Sequence, residues 1–167
     1  MKRTVFALFV LAIGLGLVPA PVPADDGGMV TGTMGIRTED GQVAHGDFVR
    51  VLLVTRETLG LMPTDDLPES GFERTGAINS LHSDFYIKIQ QQLSDPDFVA
   101  NSTLTMEDGS FLFRDVPAGA YFIVVTFPST IDGSKVAWQV PVTVMSGEPV
   151  TTVALTEDNI LFPVHRR

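Results

Sequence analysis

Asp108-Gly109-Ser110-Phe111-Leu112-Phe113-Arg114-Asp115-Val116-Pro117-Ala118-Gly119-Ala120-Tyr121 is the stretch on which the fold turns. Gly109 permits a tight reversal after Glu107-Asp108, because glycine adopts positive φ at no steric cost. Phe111 and Phe113 stand two residues apart, so a strand sends both rings to one face. Pro117 presets φ for a second turn. Tyr121 then opens another strand, where its ring can pack while its hydroxyl reaches backbone at the strand corner. Turn, aromatic strand, turn and core strand within fourteen residues describe a β-rich sandwich.

Working outward, the same period recurs. Val30, Met34 and Ile36 alternate with Thr31, Thr33 and Gly35, and Glu39-Asp40-Gly41 supplies a turn. Val49, Val51 and Leu53 repeat the alternation, with Arg50 on the opposite face. Residues 103–106 and 110–114 flank Glu107-Asp108-Gly109 and read as a short hairpin. Residues 121–127 are almost wholly apolar, as expected for a strand in the middle of a sandwich. Val136, Trp138, Val140, Val142 and Val144 give the longest alternation, with Gln139, Pro141 and Thr143 facing away. Proline cannot donate to a ladder, so this strand is expected at an edge or at a bulge. Gly147-Glu148 turns into a last strand over 150–155. The expectation is about seven short strands in an antiparallel sandwich.

One segment, about residues 57–100, interrupts the pattern. Its first half holds Pro63, Asp65, Asp66, Pro68 and several glycines and reads as loop. In its second half Ile78, Leu81, Phe85, Ile89 and Leu93 step by three or four, one apolar stripe on a helix. Asn79 or Ser80 is placed to cap the start, and Pro96 stops the helix near Asp95. Lys88, Gln90, Gln91 and Gln92 lie on the other face.

The D-G turn, F-x-F strand, V-P-x-G turn and following Tyr resemble the carboxypeptidase regulatory-like domain. Val30-Thr31-Gly32-Thr33 and Val49-x-Val51-x-Leu53 fit that family's first strands. The resemblance covers about residues 29–56 and 102–156 and leaves out the helical insertion. It implies an all-β fold: a seven-stranded antiparallel Greek-key sandwich of the transthyretin (prealbumin) type. Domains of this kind are mostly accessory or interaction modules of peptidases, surface proteins and transporters, and this one is expected to stand alone, without a peptidase.

The chain has 167 residues, 44% of them hydrophobic, with a formal charge of −9 and no cysteine. That length suits one domain. The acidic balance argues against nucleic acid, which needs clustered cations. Without cysteine there is no disulfide frame, thiolate site or cysteine nucleophile. Lys2 and Arg3, the uncharged run 5–18 and Val22-x-Ala24 before Asp25 form a secretory signal with its small-residue exit. Residues 1–24 are therefore expected to be removed, leaving one domain over 25–167 in the periplasm or at the cell surface. The run is short for a bilayer span, so no membrane insertion is expected after cleavage. Loss of Lys2 and Arg3 takes the formal charge from −9 to −11.

Residues for chemistry are sparse. His45, His82 and His165 are the histidines, and none has the spacing of a zinc peptidase. Each reads as a loop or helix-surface residue. Transthyretin-like hydroxyisourate hydrolases end in Y-R-G-S, whereas this chain ends Pro163-Val164-His165-Arg166-Arg167. Intradiol dioxygenases bind iron through two Tyr and two His, but Tyr86 and Tyr121 are the only tyrosines here, and Tyr121 already has a structural role, so that reading is weak. No serine sits in G-x-S-x-G or S-x-x-K. Asp65-Asp66 and Asp95-x-Asp97 do not form a calcium loop, and Asn101-Ser102-Thr103 is a glycosylation acceptor sequence. Trp138 alternates in phase with valines and belongs to the core, so no sugar platform is visible.

The first reading is an exported, non-enzymatic module making protein–protein contacts, without cofactor or metal. The second is a glycan or small-ligand module with its site in the turns or under the insertion. The third is a small hydrolase or oxygenase on scattered residues. Candidate partner-contact residues are Tyr86, Lys88, Gln90 and Gln91 on the helix, and Ile160, Phe162 and Val164 in the terminal segment. The alternation of those last three predicts either a strand pinned to its own sandwich or one that augments a partner's sheet.

Overall fold

The computed structural model describes residues 27–58, 67–69 and 71–163. The expected signal over 1–24, its cleavage point, Asp65-Asp66, Val164 and His165 lie outside the described residues.

Two four-stranded sheets face each other across one core. In the first, β1 (Gly28–Arg37) runs between β10 (Val150–Leu155) and β5 (Ser110–Val116), and its far end pairs with β2 (Val43–His45). In the second, the order is β4 (Val99–Leu104), β3 (Arg50–Val54), β6 (Gly119–Val125), β9 (Trp138–Val144). A two-stranded ribbon joins β7 (Thr130–Ile131) to β8 (Ser134–Lys135). The mostly-β fold with one helix is as expected; one strand is displaced, because β4 covers Val99–Leu104, beginning inside the expected insertion, where 103–106 was expected.

Two details differ from the sequence expectation. First, β1 and β10 pair in parallel, Met29 opposite Val150 through Met34 opposite Leu155, so the sandwich is not wholly antiparallel. Gly32 makes that approach feasible: a Cβ there would stand 2.5 Å from the Val153 carbonyl oxygen. Second, β4 and β5 do not form a hairpin ladder. The turn closes locally, with Gly109 N–H donating to the Met106 carbonyl at 2.8 Å. The strands on either side then join different sheets, β4 with β3 and β5 with β1. Thr105 makes the corner, because its buried hydroxyl accepts the Val49 N–H at 2.8 Å.

The fourteen-residue stretch behaves as read. Gly109 takes φ +75°, Phe111 and Phe113 are buried, and the Tyr121 hydroxyl donates to the Pro117 carbonyl at 3.0 Å. They share the intersheet core with Val30, Met34, Val51, Leu53, Ile123 and Trp138. Trp138 is fully buried, and its indole N–H donates to the Thr156 carbonyl at 2.9 Å. The strand bearing Pro141 is an edge strand, with Pro141 exposed.

The helix, α1 (Gly71–Gln92), packs on the outer face of the second sheet and creates a third layer. Phe85, Ile89 and Phe98 bury against Leu52, Val54 and Val124. This second cover explains the unbroken buried run Val51-Leu52-Leu53-Val54: a strand covered on both faces loses its polar alternation. The helix starts eight residues before the expected Asn79 cap. The hydroxyls of Thr75, Ser80 and Ser83 bond back to the carbonyls of Gly71, Gly76 and Asn79, the interior use of such residues rather than capping. The buried face is Ile78, His82, Phe85 and Ile89, so His82 takes the place expected for Leu81.

Candidate interaction face

The outer face of the second sheet carries two covers, and what they leave open is the candidate site. Helix α1 is the first cover. It is tied near its middle by Lys135, whose ammonium donates to Asn79 Oδ1 at 2.7 Å, and at its C-terminal end by Arg56. The Arg56 guanidinium meets Asp95 at 2.6 Å and Gln92 Oε1 at 3.2 Å. That hydrogen bond holds the Asp95 carboxyl below its ordinary range.

The second cover is the end of the described chain. After β10 a capped 3-10 turn, Glu157–Asn159, redirects the backbone. Ile160 then bridges to Trp138 on the edge strand β9, and the Leu161 N–H donates to the carbonyl of Ala137, just before that strand, at 2.8 Å. Phe162 passes round that edge and inserts between the helix and the sheet, 1% exposed. Its ring meets His82 at 4.9 Å and Phe85 at 6.1 Å, both edge-on.

His82 is 2% exposed, and neither ring nitrogen has a hydrogen-bond partner among the described residues. Burial, with the Lys135 charge adding to it, pushes its pKa down to about 4. It is neutral near pH 7, and it is a core residue rather than the surface histidine expected. His45 is exposed in β2. Among the described residues no group of three or more His, Asp or Glu converges as metal ligands.

Where the covers stop, a groove of about 200 Å³ opens between α1 and the sheet. Leu52, Val124, Ile89 and Leu93 give it apolar walls; Arg50, Tyr86, Gln90 and Thr126 bring polar groups. Tyr86 stacks edge-on against Phe127 at 5.6 Å, and the Lys135 ammonium lies 5.5 Å from the same Phe127 ring. Leu104 sits directly opposite Arg50 in the β3–β4 ladder, so the two share a face. Leu104 is 55% exposed, and Phe127 and the nearby Phe48 and Met106 are exposed too. Phe48 holds positive φ, +50°, a costly conformation for a bulky residue.

Of the residues nominated from sequence, Tyr86 and Gln90 line this groove. Lys88 and Gln91 are exposed elsewhere on the helix. Ile160 is half-buried on the β9 edge and Phe162 is sealed inside its own chain. Sequence reading missed Arg50, Leu104 and Phe127. Arg50 carried a signal, a lone cation inside an apolar strand; Leu104 and Phe127 alternated like core residues and gave none.

A second hollow, about 650 Å³, lies between the β1–β2 turn and the β7–β8 ribbon. Arg37, Thr38, Glu39, Asp40, Gln42 and Asp132 contribute to its lining. Thr38 donates its hydroxyl to Asp40, which keeps that carboxyl below its usual range.

No protein-family model matches the chain, and no curated protein matches it. Among solved structures it is similar to a proposed carbohydrate-binding protein of Pseudomonas aeruginosa, at 19% identity and TM-score 0.43, covering 80% of this chain and 90% of that one. It is also similar to BcpA, the major pilin subunit of Bacillus cereus, at 13% identity and TM-score 0.38. The full-length major pilin SpaD of Corynebacterium diphtheriae matches at 10% identity and TM-score 0.39. The two pilin matches cover 80% and 78% of this chain but only 30% and 29% of the pilins.

Proposed function

We propose that this chain is an exported, non-enzymatic β-sandwich module that makes protein–protein contacts in the periplasm or at the cell surface. Its frame is read as a variant of the carboxypeptidase regulatory-like Greek-key sandwich. The observation that carries the reading is the open end of the outer sheet face. Leu104, Phe127, Phe48 and Met106 are exposed large apolar residues beside a groove whose walls are already apolar. Contiguous exposed apolar surface rimmed by polar groups marks an interaction site more often than a neutral surface. Tyr, Phe, Met and Arg are also the residues enriched at such contacts. The test is Leu104→Asp. Because Leu104 is already half out in solvent, this variant is expected to melt as the parent does and to lose cross-linked complexes formed in native extracts. A variant that keeps every complex overturns the assignment of this face.

A second reading has its own observation. The polar hollow near Asp40 and Asp132 falls in the size range of small-ligand sites, roughly 300–1,000 Å³, and supports a polar ligand such as a sugar. Binding on a glycan panel that disappears with Asp132→Ala would favour it; an empty panel rejects it.

A further inference from the structure

We infer that the groove between α1 and β3 captures a short acidic–apolar segment of a protein partner, with an apolar side chain seated in the groove and a carboxylate of the same segment paired to Arg50. The inference deepens the protein-contact reading and rests on it.

Size comes first. At about 200 Å³ the groove is smaller than the ~300–1,000 Å³ that whole small ligands occupy, and it suits an anchoring side chain. Leu52, Val124 and Ile89 make that space apolar, Tyr86 and Phe127 line it as well, and exposed Leu104 stands beside Arg50 on the same face. An aliphatic or aromatic anchor desolvates these surfaces together, the arrangement found at the centre of binding hot spots.

Charge decides what flanks the anchor. The chain is acidic overall, at −9, yet the charged residue lining this groove is a cation, Arg50. Three other cations around the helix are engaged, Arg56 with Asp95, Arg74 with the Pro68 carbonyl and Lys135 with Asn79, and Lys88 on the helix does not line the groove. Arg50 is exposed and has no ion pair among the described residues. A guanidinium takes a carboxylate bidentately and fixes its orientation. A phosphate backbone is a poor occupant, because it requires several clustered cations.

The experiment is selection of random dodecamer peptides on phage against the purified protein, repeated with Arg50→Glu and Leu104→Asp. Both positions are exposed, and matching melting curves confirm that the variants fold. Enriched peptides are expected to carry a bulky apolar residue within a few positions of Asp or Glu. Arg50→Glu is expected to weaken them by about tenfold or more, roughly 1.4 kcal/mol, and to shift enrichment toward Lys and Arg. Leu104→Asp is expected to abolish binding. Peptides indifferent to Arg50→Glu but lost with Leu104→Asp overturn the acidic segment while leaving the protein-contact face standing. Peptides that survive both variants overturn the face itself. A selection that enriches nothing overturns capture of a linear segment, whereas the cross-linking test of Leu104→Asp is still free to support a folded partner.

Discussion

Phe162 lies edge-on to His82, the ring centroids 4.9 Å apart and the planes at 72°, so the last described turn of the chain holds down the middle of a helix eighty residues earlier. The two meet with no polar partner for the imidazole among the described residues. Helix, tail and sheet therefore form one buried unit.

Phe162→Ala is expected to destabilise the fold by about 3–5 kcal/mol, the usual cost of emptying a buried phenylalanine site. Most of the loss falls on helix α1, since Phe162 packs on Phe85 as well. Urea unfolding measures the total, and amide exchange along the helix locates it. A variant as stable as the parent would show that the tail merely rests on the surface.

Acid is expected to weaken the same unit. His82 titrates near pH 4 when folded because burial opposes its charge and Lys135 adds to the effect, and near 6.5 when unfolded. Between those values the unfolded chain binds more protons, so stability is complete above pH 6.5 and falls as pH drops toward 4. The loss is on the order of 2–3 kcal/mol, with each unit of pKa difference worth about 1.4 kcal/mol. His82→Phe is expected to flatten that part of the stability–pH curve. Unchanged acid sensitivity in His82→Phe would assign the effect to carboxylates.

Gly109→Ala is expected to be among the most damaging single-methyl additions. The residue has φ +75°, and a Cβ there would stand 2.3 Å from the Met34 carbonyl oxygen. Strained backbone and a clash with β1 combine at one site. A loss of several kcal/mol, on the order of 2–4, is expected in thermal unfolding. A melting temperature within two or so degrees of the parent, roughly the effect of less than 1 kcal/mol, would contradict it.

The proposed export predicts a mature protein that begins at Asp25. Edman sequencing of the protein from the medium or periplasm checks this directly. A chain still starting at Met1 would place the module on a membrane anchor.

The alternation of Val30–Ile36, Val49–Leu53 and Val136–Val144 was enough to say which side of each strand faces the intersheet core, because a period of two is a local property of the backbone. Gly109, the Phe111/Phe113 pair and Tyr121 were legible for the same reason: each acts within four or five residues of itself. The Phe85–Ile89 stripe likewise announced a helix with one face to bury. Partner choice was a different matter. Every strand offers the same N–H and C=O groups to any neighbour, so nothing local says that β4 and β5 part at Thr105 or that β10 runs parallel to β1. The burial of His82 depends on Phe162, and the groove depends on where α1 stops covering Leu52 and Val124. Those facts come from surfaces dozens of residues apart meeting in space. Arg50 shows the division most clearly: the sequence placed it on the face of β3 opposite Val51 and Leu53, and only the packed helix turned that face into the wall of a groove.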